Sequence, residues 1–103
     1  MKLVEIFQQA DPDYTLSVQG HAMPVDNMVK VASFETDLPL QEALSEAFRL
    51  TNDSDEGGWE NNPRLRVEAA DRASTSVGDV VVVDGDAYQC ARNGWHRRPD
   101  FKA

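Results

Sequence analysis

Residues 74–95 restrict the possible folds more than any other stretch: Ser-Thr-Ser-Val-Gly-Asp, four valines, Asp84-Gly85, a second alternating run, then Asn93-Gly94 and Trp95. Asp-Gly and Asn-Gly dipeptides reach the positive φ values that two-residue hairpin turns require, so local chemistry places both turns before any tertiary contact is considered. The stretch reads as a three-stranded meander. A two-residue loop at Asp84-Gly85 sets Val83 opposite Asp86, Val81 opposite Tyr88 and Asp79 opposite Cys90 on one face, leaving Val80, Val82, Ala87, Gln89 and Ala91 on the other. Both faces of the valine run are apolar, so Val80 to Val83 are expected to form a central strand covered on both sides. Gly78 reads as a turn residue, with Ser74, Thr75 and Ser76 before it serving side-chain to backbone bonds.

Upstream, Leu3 to Phe7 and Met28 to Phe34 read as strands, the second alternating Val29, Val31 and Ser33 against Met28, Lys30, Ala32 and Phe34. Tyr14 to Val18 alternates more weakly, among the punctuating Pro12, Gly20 and Pro24. Asp37-Leu38-Pro39 is a helix start, with Asp37 expected near the free N–H groups and Pro39 in the first turn. Leu40, Ala43, Leu44, Ala47 and Phe48 then fall on one helical face, and Asn52 is the expected stop. Residues 52–63, with two glycines, a proline and four acids, form a loop, and Leu65 to Glu68 a short strand. These elements make a single α+β domain over residues 1–103: a small antiparallel sheet with a C-terminal meander, packed on one amphipathic helix.

A chain of 103 residues with 41% hydrophobic content suffices for one core without staples. Its one cysteine, Cys90, cannot form an internal disulfide, and its place in a strand marks it as a buried small hydrophobe in a reducing compartment. No apolar run approaches the roughly 20 residues of a membrane span, and Glu5 comes too early for a signal peptide. The expected location is cytoplasmic, away from membranes.

The net charge of −8 is lopsided. Residues 1–62 carry twelve Asp/Glu against three Lys/Arg, whereas residues 63–103 carry six against seven. An acidic half repels nucleic acid and attracts basic partners. Six acids, Glu42, Glu46, Asp53, Asp55, Glu56 and Glu60, fall within nineteen residues whose only positive charge is Arg49. Like charges four apart, such as Glu42 and Glu46, slightly destabilise a helix, so their presence asks for a reason beyond folding. Trp59 in the same polar stretch is a candidate apolar anchor, since aromatics are enriched in binding hot spots.

Other constellations are weaker. Asp53, Asp55 and Glu56 suggest calcium, but Glu56 stands where the calcium loop needs a glycine and no second helix with a terminal glutamate follows. His21, His96 and Cys90 lack the paired short spacing of a zinc site. Ser74 and Ser76 sit in no nucleophile elbow, so no enzyme activity and no cofactor are expected. Trp95, His96, Arg97 and Arg98 form an aromatic and basic group of the kind that stacks on bases and neutralises phosphates. They define the alternative reading, a small nucleic-acid-binding module.

Leu44, Ala47-Phe48, Leu50-Thr51-Asn52, Trp59, Asn61, the run Ser74 to Val81, and Gly85, Tyr88, Cys90, Gly94 and Trp95 resemble a group of small uncharacterised bacterial, plasmid and phage proteins over roughly residues 38–98. Many members carry an arginine directly before the Ser-x-Ser-Val-Gly-Asp run; here Ala73 stands there and Arg72 precedes it. The resemblance implies no activity or site. It implies an accessory factor of a phage or mobile element, and with the acidic half it points to a non-enzymatic inhibitor docking on a basic, nucleic-acid-binding surface of a host protein. An anti-CRISPR-like protein or DNA mimic is the sharpest form of that expectation.

Overall fold

The structure is a computed structural model and describes residues 1–9, 25, 28–52, 65–68, 78–91 and 94–101. Among the described residues, six strands and one helix follow in the order β1 (Lys2–Gln9), β2 (Met28–Thr36), α1 (Leu40–Thr51), β3 (Arg66–Val67), β4 (Val80–Val83), β5 (Asp86–Ala91) and β6 (Gly94–Arg97). They form one antiparallel sheet in the order β3-β2-β1-β4-β5-β6, with α1 packed on one face. The Tyr14 to Val18 segment lies outside the described residues.

The meander pairs as its turn chemistry dictates. Val83 faces Asp86 and Val81 faces Tyr88, while Asp84 and Gly85 carry φ values of 48° and 89°, both positive as the two-residue turn requires. The second hairpin differs by one residue from its expected turn at Asn93-Gly94. Gly94 opens β6 opposite Ala91, so the connection falls on residues 92–93, outside the described part. Gly78 is a bulge residue: its N–H donates to the Cys90 carbonyl at 2.8 Å, while the Cys90 N–H donates to the Asp79 carbonyl at 2.8 Å. Two residues thus oppose one, and Gly78 takes the φ of 97° that this bulge needs.

β4 lies between β1 and β5, and all four of its valines are buried. Val81 and Val83 share the helix side with Val4, Ile6, Ala32, Phe34, Ala43, Leu44, Ala47 and Leu50. Val80 and Val82 join Phe7 and Ala87 in a smaller cluster on the reverse side, where Val25, Met28 and Phe101 pack against them. The Phe101 ring meets that of Phe7 edge-on, with centroids 5.0 Å apart.

Strict alternation in β2 fails at one point. Ile6 pairs with Ala32 but Phe7 pairs with Lys30, so Val31 is an extra, unpaired residue. Unbroken alternation would turn Lys30 to the helix side with Ala32 and Phe34, where an ammonium would be buried unpaired. The irregularity turns it to the reverse face instead. There its Nζ lies 2.8 Å from Glu5 and 3.3 Å from Glu68.

The helix start also differs from expectation. Pro39 occupies the capping position rather than the first turn and its carbonyl accepts the Ala43 N–H at 2.8 Å. Asp37 caps nothing; it is exposed, with the N-terminal amine 3.9 Å away. Thr36 shapes the entry, its hydroxyl oxygen accepting the Leu38 N–H at 3.2 Å. The buried stripe is Ala43, Leu44, Ala47, Leu50 and Thr51, so Phe48, expected inside, is 40% exposed. Thr51 takes its place because its hydroxyl donates to the Ala47 carbonyl at 2.8 Å and so buries no unsatisfied group. Asn52 ends the helix as expected, its side-chain amide donating to the Phe48 carbonyl at 2.7 Å.

Candidate functional site

Two regions carry the residues that sequence reasoning singled out. On α1, Glu42 is exposed and makes no ion pair among the described residues. Glu46 differs: Arg49, one turn on, holds both of its carboxylate oxygens, and only 15% of its side chain is exposed. Its charge is largely answered within the helix. The exposed shoulder of α1 is therefore Gln41, Glu42, Ser45 and Phe48 with Arg49 and Asn52, an apolar ring among polar groups. Asp53, Asp55, Glu56, Trp59 and Glu60 lie outside the described residues.

At the other end, the sheet divides the aromatic and basic group. Trp95 pairs with Cys90 and Arg97 with Tyr88, placing both on the helix side, whereas His96 pairs with Gln89 on the reverse. Arg98 also reaches the reverse face, where its Nη1 donates to Gln89 Oε1 at 2.6 Å. Gln89 in turn donates to the Gly78 carbonyl at 3.1 Å, which ties Arg98 to the bulge. Arg97 bonds Asp86 at 3.1 Å, and Arg98 bonds Asp100 through two nitrogens at 2.8 and 3.0 Å. The pairing with Asp100 holds the Arg98 guanidinium above its ordinary range and the Asp100 carboxyl below its own. Trp95 packs against the main core, so its ring is only partly available for stacking.

Cys90 is buried, and burial, reinforced by nearby Asp79, pushes its thiol from 9.0 up to about 11. Such a thiol carries almost no thiolate near neutrality, which removes its nucleophilicity. Asp79 serves the fold: its Oδ1 accepts the Gln9 N–H at 3.1 Å, extending the attachment of β1 beyond the last paired residue of β4. Among the described residues, no three His, Cys, Asp or Glu side chains converge as a metal site, and no helix is long and apolar enough to cross a membrane.

Sequence reasoning missed two features. Helical spacing puts Phe48 in the core, where the structure leaves it exposed, and the place of β6 at the sheet's edge among the described residues follows only from the strand order. No protein-family model matches the chain, and neither the curated proteins nor the solved structures contain a match.

Proposed function

We propose that this chain is a non-enzymatic binding protein, an accessory or inhibitor factor of a phage or mobile element, whose acidic surface docks on a basic, nucleic-acid-binding surface of a host protein. The observation that carries this reading is the state of its cations. Of the described Lys and Arg side chains, Lys30, Arg49, Arg97 and Arg98 are each tied to the chain's own carboxylates, and only Lys2 and Arg66 are not. With most of the described positive groups answered by the chain's own carboxylates, the excess of acids behind the net charge of −8 sets a predominantly negative field. Glu42 and the exposed Phe48 on α1 would contribute at the docking surface, with Asp53, Asp55, Glu56, Trp59 and Glu60 as the sequence-based candidates beside them and Glu46 as a minor member.

The same neutralisation weighs against the nucleic-acid reading of Trp95, His96, Arg97 and Arg98. Those residues divide between two faces, and both guanidiniums already hold an aspartate. The test is binding at low salt. The chain is expected to capture a basic partner that duplex DNA and salt both displace, and to leave labelled oligonucleotides unretarded. Joint replacement Glu42→Lys, Asp53→Lys, Asp55→Lys and Glu56→Lys should abolish capture while leaving the melt nearly unchanged. Retardation of an oligonucleotide by the chain alone, with a linear log–log salt dependence, would overturn the proposal in favour of the alternative.

A further inference from the structure

β6 ends the sheet, and among the described residues no strand lies on its outer side. Ala91 pairs with Gly94 across the hairpin and the Arg98 N–H donates to the Ala87 carbonyl at 2.9 Å, so Gly94, His96 and Arg98 turn their backbone groups toward β5. Trp95 and Arg97 therefore turn their N–H and C=O groups outward, and among the described residues no hydrogen bond occupies them. Natural edges are commonly blunted by a proline, a bulge or a bare charge. β6 has no proline or bulge, and its one strand guanidinium, Arg97, is answered by Asp86.

We propose that β6 pairs antiparallel with β6 of a second copy of this chain, joining two sheets into one of twelve strands. Three registers bring outward-facing residues together. Setting Arg97 opposite Arg97 opposes like charges and uses one backbone pair. Setting Trp95 opposite Trp95 also uses one such pair within the strand. Setting Trp95 opposite Arg97 uses both outward residues of each copy, makes four interchain backbone hydrogen bonds, and repeats itself under the two-fold axis, as a closed dimer requires. Trp95 and Arg97 lie on the same side of the sheet, so this register brings each guanidinium, 63% exposed, beside the indole of the other copy.

Charge favours the same end of the molecule. Two chains of net charge −8 repel, but around β6 Arg97 answers Asp86 and Arg98 answers Asp100, so this edge is locally balanced. A second copy meets little repulsion there. A four-residue strand pairing buries less than the ~1,200 Å² of a standard stable interface, which places it among weak, concentration-dependent associations.

Sedimentation equilibrium of the full chain from about 10 µM to about 1 mM, the concentrations at which weak pairs associate, should show a mass rising from one chain toward two. Arg97→Pro removes an outward N–H while leaving the bonds to β5 in place, and should hold the chain at a single mass with an unchanged circular-dichroism spectrum. Hydrogen exchange of the Trp95 and Arg97 amides in the parent should slow as concentration rises, and this reading decides the matter if Arg97→Pro does not fold. A parent chain of single mass at every concentration, as expected if an extended peptide of another protein fills the edge, would overturn the proposal. So would Arg97→Pro associating like the parent, or edge amides indifferent to concentration.

Discussion

Among the described residues, the two faces of the sheet are packed by different means. On the helix side, Val4, Ile6, Val81 and Val83 meet Ala43, Leu44, Ala47 and Leu50 in one continuous apolar layer. On the reverse side, Phe7, Val80, Val82 and Ala87 form a strip on which Phe101 and Met28 lie, bordered by the Lys30, Glu5 and Glu68 ion pairs. Among the described residues, a regular helix covers the first face with one amphipathic stripe, whereas the second is met by isolated side chains and by charges at its border. The valines of β4 belong to both, which is why a strand of four residues carries so much of the fold.

Substitutions that act on one face at a time probe this difference. The largest effect is expected from Val81→Asp, which buries an unpaired carboxylate in the helix layer. Its cost of several kcal/mol is on the order of the whole stability, so a cooperative thermal transition surviving in circular dichroism would break the comparison. Gly85→Val acts on both faces through the register. No atom stands within 4 Å of a Cβ added there, but the φ of 89° is one a β-branched residue resists, and a loss of about 1–3 kcal/mol in urea titration is expected. Phe101→Ala removes one ring from the reverse strip and should cost about 1–2 kcal/mol, well short of a fully buried phenylalanine, because its partner Phe7 keeps its strand neighbours.

The smallest effect is expected at the border. Lys30→Met should change stability at neutral pH by less than about 1 kcal/mol, since partly exposed ion pairs contribute little. Its signature is the pH dependence. The hydrogen bond to Glu5 is the main cause that raises Lys30 above 10.5, with burial opposing and Glu68 adding. A raised value means the stabilisation is fully present below the unfolded-state pKa and fades as pH rises through the folded one, so loss begins above about 10.5. Cys90 acts in the same direction between 9.0 and about 11, because the folded chain holds the thiol proton more tightly. The parent should lose stability across both ranges, and Lys30→Met across the lower one alone; identical alkaline profiles would show that the ion pairs do not support the reverse face.

The meander was legible because its determinants are local: Asp84-Gly85 fixes the register, and the valine run declares a strand covered on both sides. The irregularity at Val31 was not, because it answers a need of Lys30 for Glu5 and Glu68, which lie on two other parts of the chain. The helix was legible in extent, but its stripe was rotated toward Leu50 and Thr51. A threonine looks polar in sequence until its hydroxyl is seen bonded to Ala47. Of the candidate site, exposed Glu42 was readable from helical spacing, and the separation of Trp95 and Arg97 from His96 follows from strand alternation alone. The open edge depends on strand order, and no spacing within β6 encodes that.

The pairing of β1 with β4 bears on synthesis. Leu3 bonds a residue 81 positions later and Gln9 one 70 positions later. A ribosome therefore releases the β1–β2 hairpin and the apolar stripe of α1 well before the valines that complete their layer. During that interval β1 has one side unoccupied and the helix has only part of its platform, the situation in which nascent chains associate wrongly or recruit chaperones. The free side of β1 waits on a single four-residue strand, so slow translation between α1 and β4 would lengthen the vulnerable period without altering the finished fold.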